Sequence, residues 1–199
     1  RCWHFTPSQL KEKRDSVSVH GLTAEQEATY RLFWEQQCLE FAEDSNKCKV
    51  RPPTDYARLK VAGTAVSIYK RFCTTTALTE FNGAQLMMTC VYLAGKIVES
   101  HIVLNDFVKL AKPSSAASAE ADSADREKLL KDREDLRVQV ELLEAEVMAA
   151  LSFQLAVHLP YNPVLGICNA IADQLITDGH ANKDSVRFAT RELETVARK

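Results

Sequence analysis

Two charged residues in apolar company are the first candidates for chemistry in this sequence. Leu86–Ser100 reads LMMTCVYLAGKIVES, a buried-looking helix that keeps one cation, Lys96, between Gly95 and Ile97. Residues three and four apart on a helix touch, so the neighbours of Lys96 are Tyr92, Leu93, Glu99 and Ser100. Its stem then lies against Leu93 and Ile97. The second is Glu144 in VELLEAEVMAALSF, with Val140 at i−4, Val147 at i+3, Met148 at i+4 and Leu151 at i+7. Glu141, beside Arg137, reads as solvated. A buried charge with no partner costs several kcal/mol, so each group needs a partner or water. Plainer readings exist for both. Lys96 can snorkel outward and pair with Glu99, and Glu144 can mark the rim of an apolar stripe. Periodicity alone leaves these alternatives open.

Other side chains with chemical potential are dispersed. Cys2, Cys38, Cys48, Cys73, Cys90 and Cys168 form no CxxC pair, which argues against a zinc knuckle or a thioredoxin-like motif. Several lie inside apolar helical patterns, where reduced cysteine acts as a small hydrophobe, and this favours cytosol or nucleus over secretion. His4, His20, His101, His158 and His180 are isolated. There is no glycine-rich phosphate loop, no GxSxG and no HExxH. No catalytic residue, metal ligand or cofactor site is therefore expected. Thr6-Pro7 has the form of a proline-directed phosphosite, but a helix start explains it fully. The formal net charge of −2 speaks against nucleic acid or an acidic membrane as the main partner. No apolar run approaches the roughly 20 residues of a membrane span. The first residue is Arg1, not Met, so an upstream segment is expected.

The elements that must position Lys96 and Glu144 all read as helices. Thr6, Pro7 and Gln9 announce a short first one, and Thr23 with Gln26 a second, with Leu22 placed as a staple. Leu32, Leu39 and Ala42, flanked by Phe33 and Cys38, form the expected apolar face of the second helix. After RPP at 51–53, a third helix over about 54–73 is apolar on most sides, as in the middle of a bundle. Asn82 caps a fourth over 83–99, and a fifth covers about 105–111. Residues 111–128 begin rich in Ser and Ala, with no large apolar side chain, and read as a flexible loop. A long helix to about 151 carries Leu129, Leu136, Val140, Leu143, Val147 and Ala150 in a stripe that suits a bundle and, less well, a coiled coil. One helix closed by Asp178-Gly179 and a last one capped by Asp184 follow. No strand pattern is visible.

Three segments then resemble successive signatures of a cyclin box: GTAVSIYKRF (63–72), LMMTCVYLAGKIVES (86–100) and LSFQLAVHLPYNP (151–163). Their order and spacing match too. The resemblance covers about 3–177, and within the family it leans toward the H type. It implies an all-α fold of two five-helix repeats. Residues 1–22 would be an N-terminal helix and linker, 23–155 a first box with an insertion at about 112–125, and 156–199 the start of a truncated second box. It implies a regulatory subunit without catalysis, acting in the nucleus. That subunit binds the αC-helix side of a cyclin-dependent kinase and works with a RING-type assembly factor, with no direct nucleic-acid or membrane contact. In the family a lysine in the LA-x-K segment and a glutamate nine residues before the L-x-F phenylalanine bond the kinase backbone. Those positions are Lys96 and Glu144. The family's apolar kinase contacts map onto Leu93, Ile97, Met148, Phe153 and Leu155, each of which could equally be core. His158 falls in the VHLPY signature and would shape the turn between boxes. Three rivals stay open: a transcriptional cyclin of C, K or T type with a different kinase, a cyclin-fold module of general transcription factors, and a helical adaptor without a kinase.

Overall fold

A computed structural model describes residues 3, 5–16, 22–77, 80–111 and 123–179. The described residues are mostly helical, as an all-α fold requires. In chain order the helices are α1 (Pro7–Ser16), α2 (Ala24–Glu43), α3 (Asp55–Phe72), α4 (Gly83–Ile97), α5 (Leu104–Ala111), α6 (Ser123–Ala150) and α7 (Tyr161–Thr177). The chain divides into two compact units, Arg1–Val157 and His158–Lys199.

Local chemistry sets the helix starts. Thr23 accepts a hydrogen bond from the Gln26 backbone N–H, and the Gln26 side chain accepts one from the Thr23 N–H, a complete capping box. Thr6 and Gln9 repeat the device at α1. Thr54 caps α3, and the Asn82 side chain accepts from the N–H groups of Ala84 and Gln85 at α4. α7 closes at Gly179, whose φ of 70° suits a residue without a Cβ.

In the first unit α3 and α4 form the centre. α3 packs on α2 and α4, and α4 also packs on α2 and α6. Val61, Ala62, Ala65, Ile68 and Tyr69 of α3 meet Leu86, Cys90, Val91 and Ala94 of α4 in one hydrophobic core. The stripe read along α6 is the buried one: Leu136, Val140, Leu143 and Val147 face inward, with packing on α4 and α5. That is the bundle arrangement.

The sequence reading needs correction at three places. On α2 the inward residues are Glu27, Arg31, Cys38, Phe41 and Ala42, whereas Leu32 is 64% exposed and Phe33 and Leu39 are also exposed. The ion pair that Arg31 makes with Glu27 lets two charged residues occupy the face assigned to leucines. Leu22 is exposed and staples nothing, because the position it would meet, four into the helix, is Glu27. Finally, two short strands exist, β1 (Val50–Arg51) and β2 (His101–Ile102), paired antiparallel with Val50 opposite Ile102. Two residues are too few for a period-two pattern to register. The expected loop at 112–125 falls largely outside the described residues, although α6 already begins at Ser123, and the helix assigned to Asp184 lies wholly outside them.

Candidate functional site

Lys96 and Glu144 meet. The Lys96 ammonium lies 2.6 Å from Oε1 and 2.7 Å from Oε2 of Glu144, joining the last turn of α4 to the last two turns of α6. The expected alternative, Lys96 with Glu99, fails for a geometric reason. α4 ends at Ile97, and Glu99 sits past it in the left-handed region at φ 56°, where i, i+3 proximity no longer holds. The Ser100 N–H closes that helix end by donating to the Gly95 carbonyl at 2.8 Å.

Gly95 is what lets the helix end sit so close. A Cβ at this position would stand 2.6 Å from the Ile102 side chain and 2.9 Å from the Ser100 carbonyl oxygen. The site's cation is thus held one residue from a backbone contact that admits only glycine. On its other side the Lys96 ammonium lies 4.4 Å from the centroid of the Tyr92 ring, a cation–π contact. Burial works against the Lys96 charge. The hydrogen bonds and charge of Glu144, with Tyr92, outweigh it and hold the ammonium above the ordinary lysine range.

The pair is unevenly covered. The Lys96 side chain is 49% exposed and the Glu144 side chain 12%. An ammonium has three donors, and the carboxylate takes two of them. The carboxylate oxygens each keep a further lone pair. The pair is therefore open to a polar group of a partner chiefly on its lysine side.

The apolar candidates separate. Leu93 is buried and packs in the core. Ile97, Met148 and Leu155 are half-buried against the core edge. Phe153 is 70% exposed. Ser152 and Phe153 both have positive φ, 53° and 58°, in the turn that ends α6. The Phe153 N–H donates to the Met148 carbonyl at 2.9 Å, and the Ser152 N–H to that of Ala149 at 2.8 Å. Two consecutive non-glycine residues in this region cost about 1–3 kcal/mol each, so the turn presents Phe153 at a conformational expense. His158, which begins the second unit, is exposed.

Arg71 of α3 was missed as part of this arrangement. Its Nη1 donates to the Gln154 carbonyl at 3.2 Å and the Ala156 carbonyl at 2.9 Å, fixing the chain just beyond Phe153. The signal lay within YKRF, but nothing in periodicity distinguishes that arginine from a solvated one.

Among the described residues no group of His, Cys, Asp and Glu is placed to hold a metal ion. The described cysteines are free. Burial pushes the Cys38, Cys48 and Cys73 thiols up to about 12, so they pack as hydrophobes. No described helix is long and apolar enough to cross a membrane.

Comparison with known proteins gives the following. No family model matches the chain. Cyclin-C1-1 of Oryza sativa subsp. japonica is 31% identical over 121 residues, 61% of this chain and 41% of the relative. Cyclin-H of Xenopus laevis is 27% identical over 157 residues, 78% of this chain and 41% of that protein. Over these stretches the chain is similar to cyclins. Cyclin-H1-1 of Arabidopsis thaliana is 27% identical over 116 residues, 58% of this chain and 28% of that one. The chain thus spans less than half the length of these curated proteins.

Proposed function

We propose that this chain is the kinase-docking part of a cyclin, which binds and allosterically activates a cyclin-dependent kinase and has no catalytic activity of its own. One observation carries the reading: Lys96 and Glu144, 48 residues apart, meet in an ion pair that is open to solvent on the lysine side. The proposed contact is the kinase backbone beside its αC helix. Phe153, Ile97, Met148 and Leu155 supply the apolar anchors around the polar pair. Docking there moves αC so that its glutamate reaches the active-site lysine, and frees the activation loop. Residues 23–155 are on this reading one cyclin box, and 156–199 the beginning of a second.

The finer proposal is an H-type role: partner of the kinase that activates cell-cycle kinases, joined by a RING-type assembly factor, and nuclear within transcription factor IIH. The longer reach of the Xenopus cyclin-H match, 78% of this chain, favours it. A C-type transcriptional cyclin is the second reading, favoured by the higher identity to the rice protein, 31%.

The test takes the full-length protein and a panel of purified cyclin-dependent kinases, recording binding and phosphorylation rate. One kinase is expected to be bound and activated, and Lys96→Ala/Glu144→Ala is expected to stay folded while losing both. The identity of that kinase separates the H type from the C type. A protein that activates no kinase, or a double variant that activates normally, would overturn the docking site and leave a helical adaptor.

A further inference from the structure

A concentration of positive charge lies away from Lys96, in a cavity of about 440 Å³ between α1, α2 and α3. Its wall carries Arg14, Arg31, Lys70 and Arg71 against one carboxylate, Glu35. Two of these cations are already matched: Lys70 pairs with Glu35 at 3.2 Å and Arg31 with Glu27. Arg14 and Arg71 have no carboxylate partner among the described residues, and burial presses on the Arg71 charge, lowering its pKa. Arg71 spends its Nη1 on two carbonyls and lays its guanidinium 5.5 Å from the Trp3 ring centroid, which leaves Nε and Nη2 for another acceptor.

Two further donors are unspent. The Arg31 Nε–H and the Trp3 indole N–H are buried with no acceptor. Arg31 itself is more than nine-tenths buried. A buried N–H without an acceptor costs about 1–3 kcal/mol, which an incoming oxyanion would relieve. Guanidinium groups on a partly desolvated wall suit a phosphate monoester, because their planar forks of N–H donors make paired, charge-assisted hydrogen bonds to its oxygens. The remaining wall is apolar, from Phe5, Leu10 and Leu32. It also gives a use to Leu32, one of the outward apolar residues of α2. An anion alone needs no such wall, whereas a peptide that places an apolar side chain beside its phosphate does.

We propose that this cavity binds a phosphorylated serine or threonine on a peptide segment of a partner protein. The phosphate sits among Arg14, Arg31 and Arg71, and a neighbouring apolar side chain rests on Phe5, Leu10 and Leu32. This site is independent of the kinase-docking reading.

The full-length protein would be titrated with inorganic phosphate while the Trp3 indole and arginine Nε–H signals are followed by NMR. Fluorescent pools of degenerate peptides with a central phosphothreonine and flanking leucine would then be compared with the same pools unphosphorylated. Expected are shifts at Trp3 and Arg31, and phosphopeptide binding about tenfold or more above the unphosphorylated pool. Arg14→Gln, an exposed position, should weaken that binding about tenfold without altering the fold, in line with the loss of a charge-assisted contact. Arg31→Lys, which keeps the pair with Glu27 but removes the fork, should weaken it too. Absence of both shifts would overturn the proposal. So would equal binding of the two pools, or shifts with phosphate and no gain from any peptide, which would mean a small-anion site.

Discussion

Two ion pairs in the first unit solve the same problem in opposite ways. Glu27 and Arg31 belong to one helix, α2, four residues apart, and are both buried. Lys96 and Glu144 come from different helices, and the pair opens to solvent on the lysine side. The first pair is local, so it needs only the helix to form, but it surrenders the hydration of both charges. The second joins α4 to α6 and keeps much of its hydration. A buried pair is weak evidence for net stability, since its replacement by apolar residues is often neutral, although loss of one partner is severe. A half-open pair contributes little to stability and stays available to a third group. The half-open pair is thus the one available to a docking kinase, whereas the buried pair leaves only the Arg31 Nε–H for a ligand.

That contrast can be broken or sharpened by experiment. Glu27→Ala strands the Arg31 guanidinium in the interior and should cost about 3–5 kcal/mol, read as a fall in urea midpoint with an unchanged slope. The double change Glu27→Leu/Arg31→Met should recover most of this loss. If the double variant is as unstable as the single one, the α2 pair stabilises in its own right and the comparison fails. Gly95→Ala strikes the other pair from behind, by forcing a Cβ onto Ile102 and the Ser100 carbonyl. It should cost about 1–3 kcal/mol, as overpacking does, and should move the Lys96 and Tyr92 resonances. Lys96→Met, which keeps the stem and removes the charge, leaves the mostly buried Glu144 carboxylate without its partner and should cost about 1–2 kcal/mol. On the proposed function it should still abolish kinase binding, and a large stability loss would make it a structural pair after all.

The smallest effect is in pH. The folded-state pKa of Lys96 lies above its ordinary value, so its share of stability is full below the unfolded lysine value and fades as pH climbs through the folded one. Wild type and Lys96→Met should therefore differ by a constant amount from neutrality to about pH 10 and converge above that. The α2 pair, built on arginine, should show no such convergence in alkali. Urea titrations across that range distinguish the two.

How far the sequence told this in advance depended on whether the signal was local. Thr6, Thr23, Gln26 and Asn82 marked helix starts because capping is written into three or four consecutive residues. Lys96 and Glu144 stood out because each interrupts an apolar stripe, though nothing in periodicity said that they would find each other. α2 misled for the converse reason. Leu32, Phe33 and Leu39 look like a core face, and a buried arginine at 31 is readable only with its i−4 carboxylate in view. The turn at Ser152 and Phe153 carries no glycine or asparagine to announce left-handed backbone, and the carbonyls that Arg71 holds lie more than eighty residues away.

The smallest element of the fold has a kinetic consequence. β1 precedes α3 and β2 follows α4, so the Val50–Ile102 pairing ties the two ends of the central hairpin together. Until those strands meet, α3 and α4 are two adjacent helices free to splay. Once they meet, the hairpin is a closed ring, and the loop-closure entropy of the α3–α4 segment is already spent. The amide protons of β1 and β2 should then exchange with those of α3 and α4 as one cooperative block, although four residues of strand would ordinarily fray on their own.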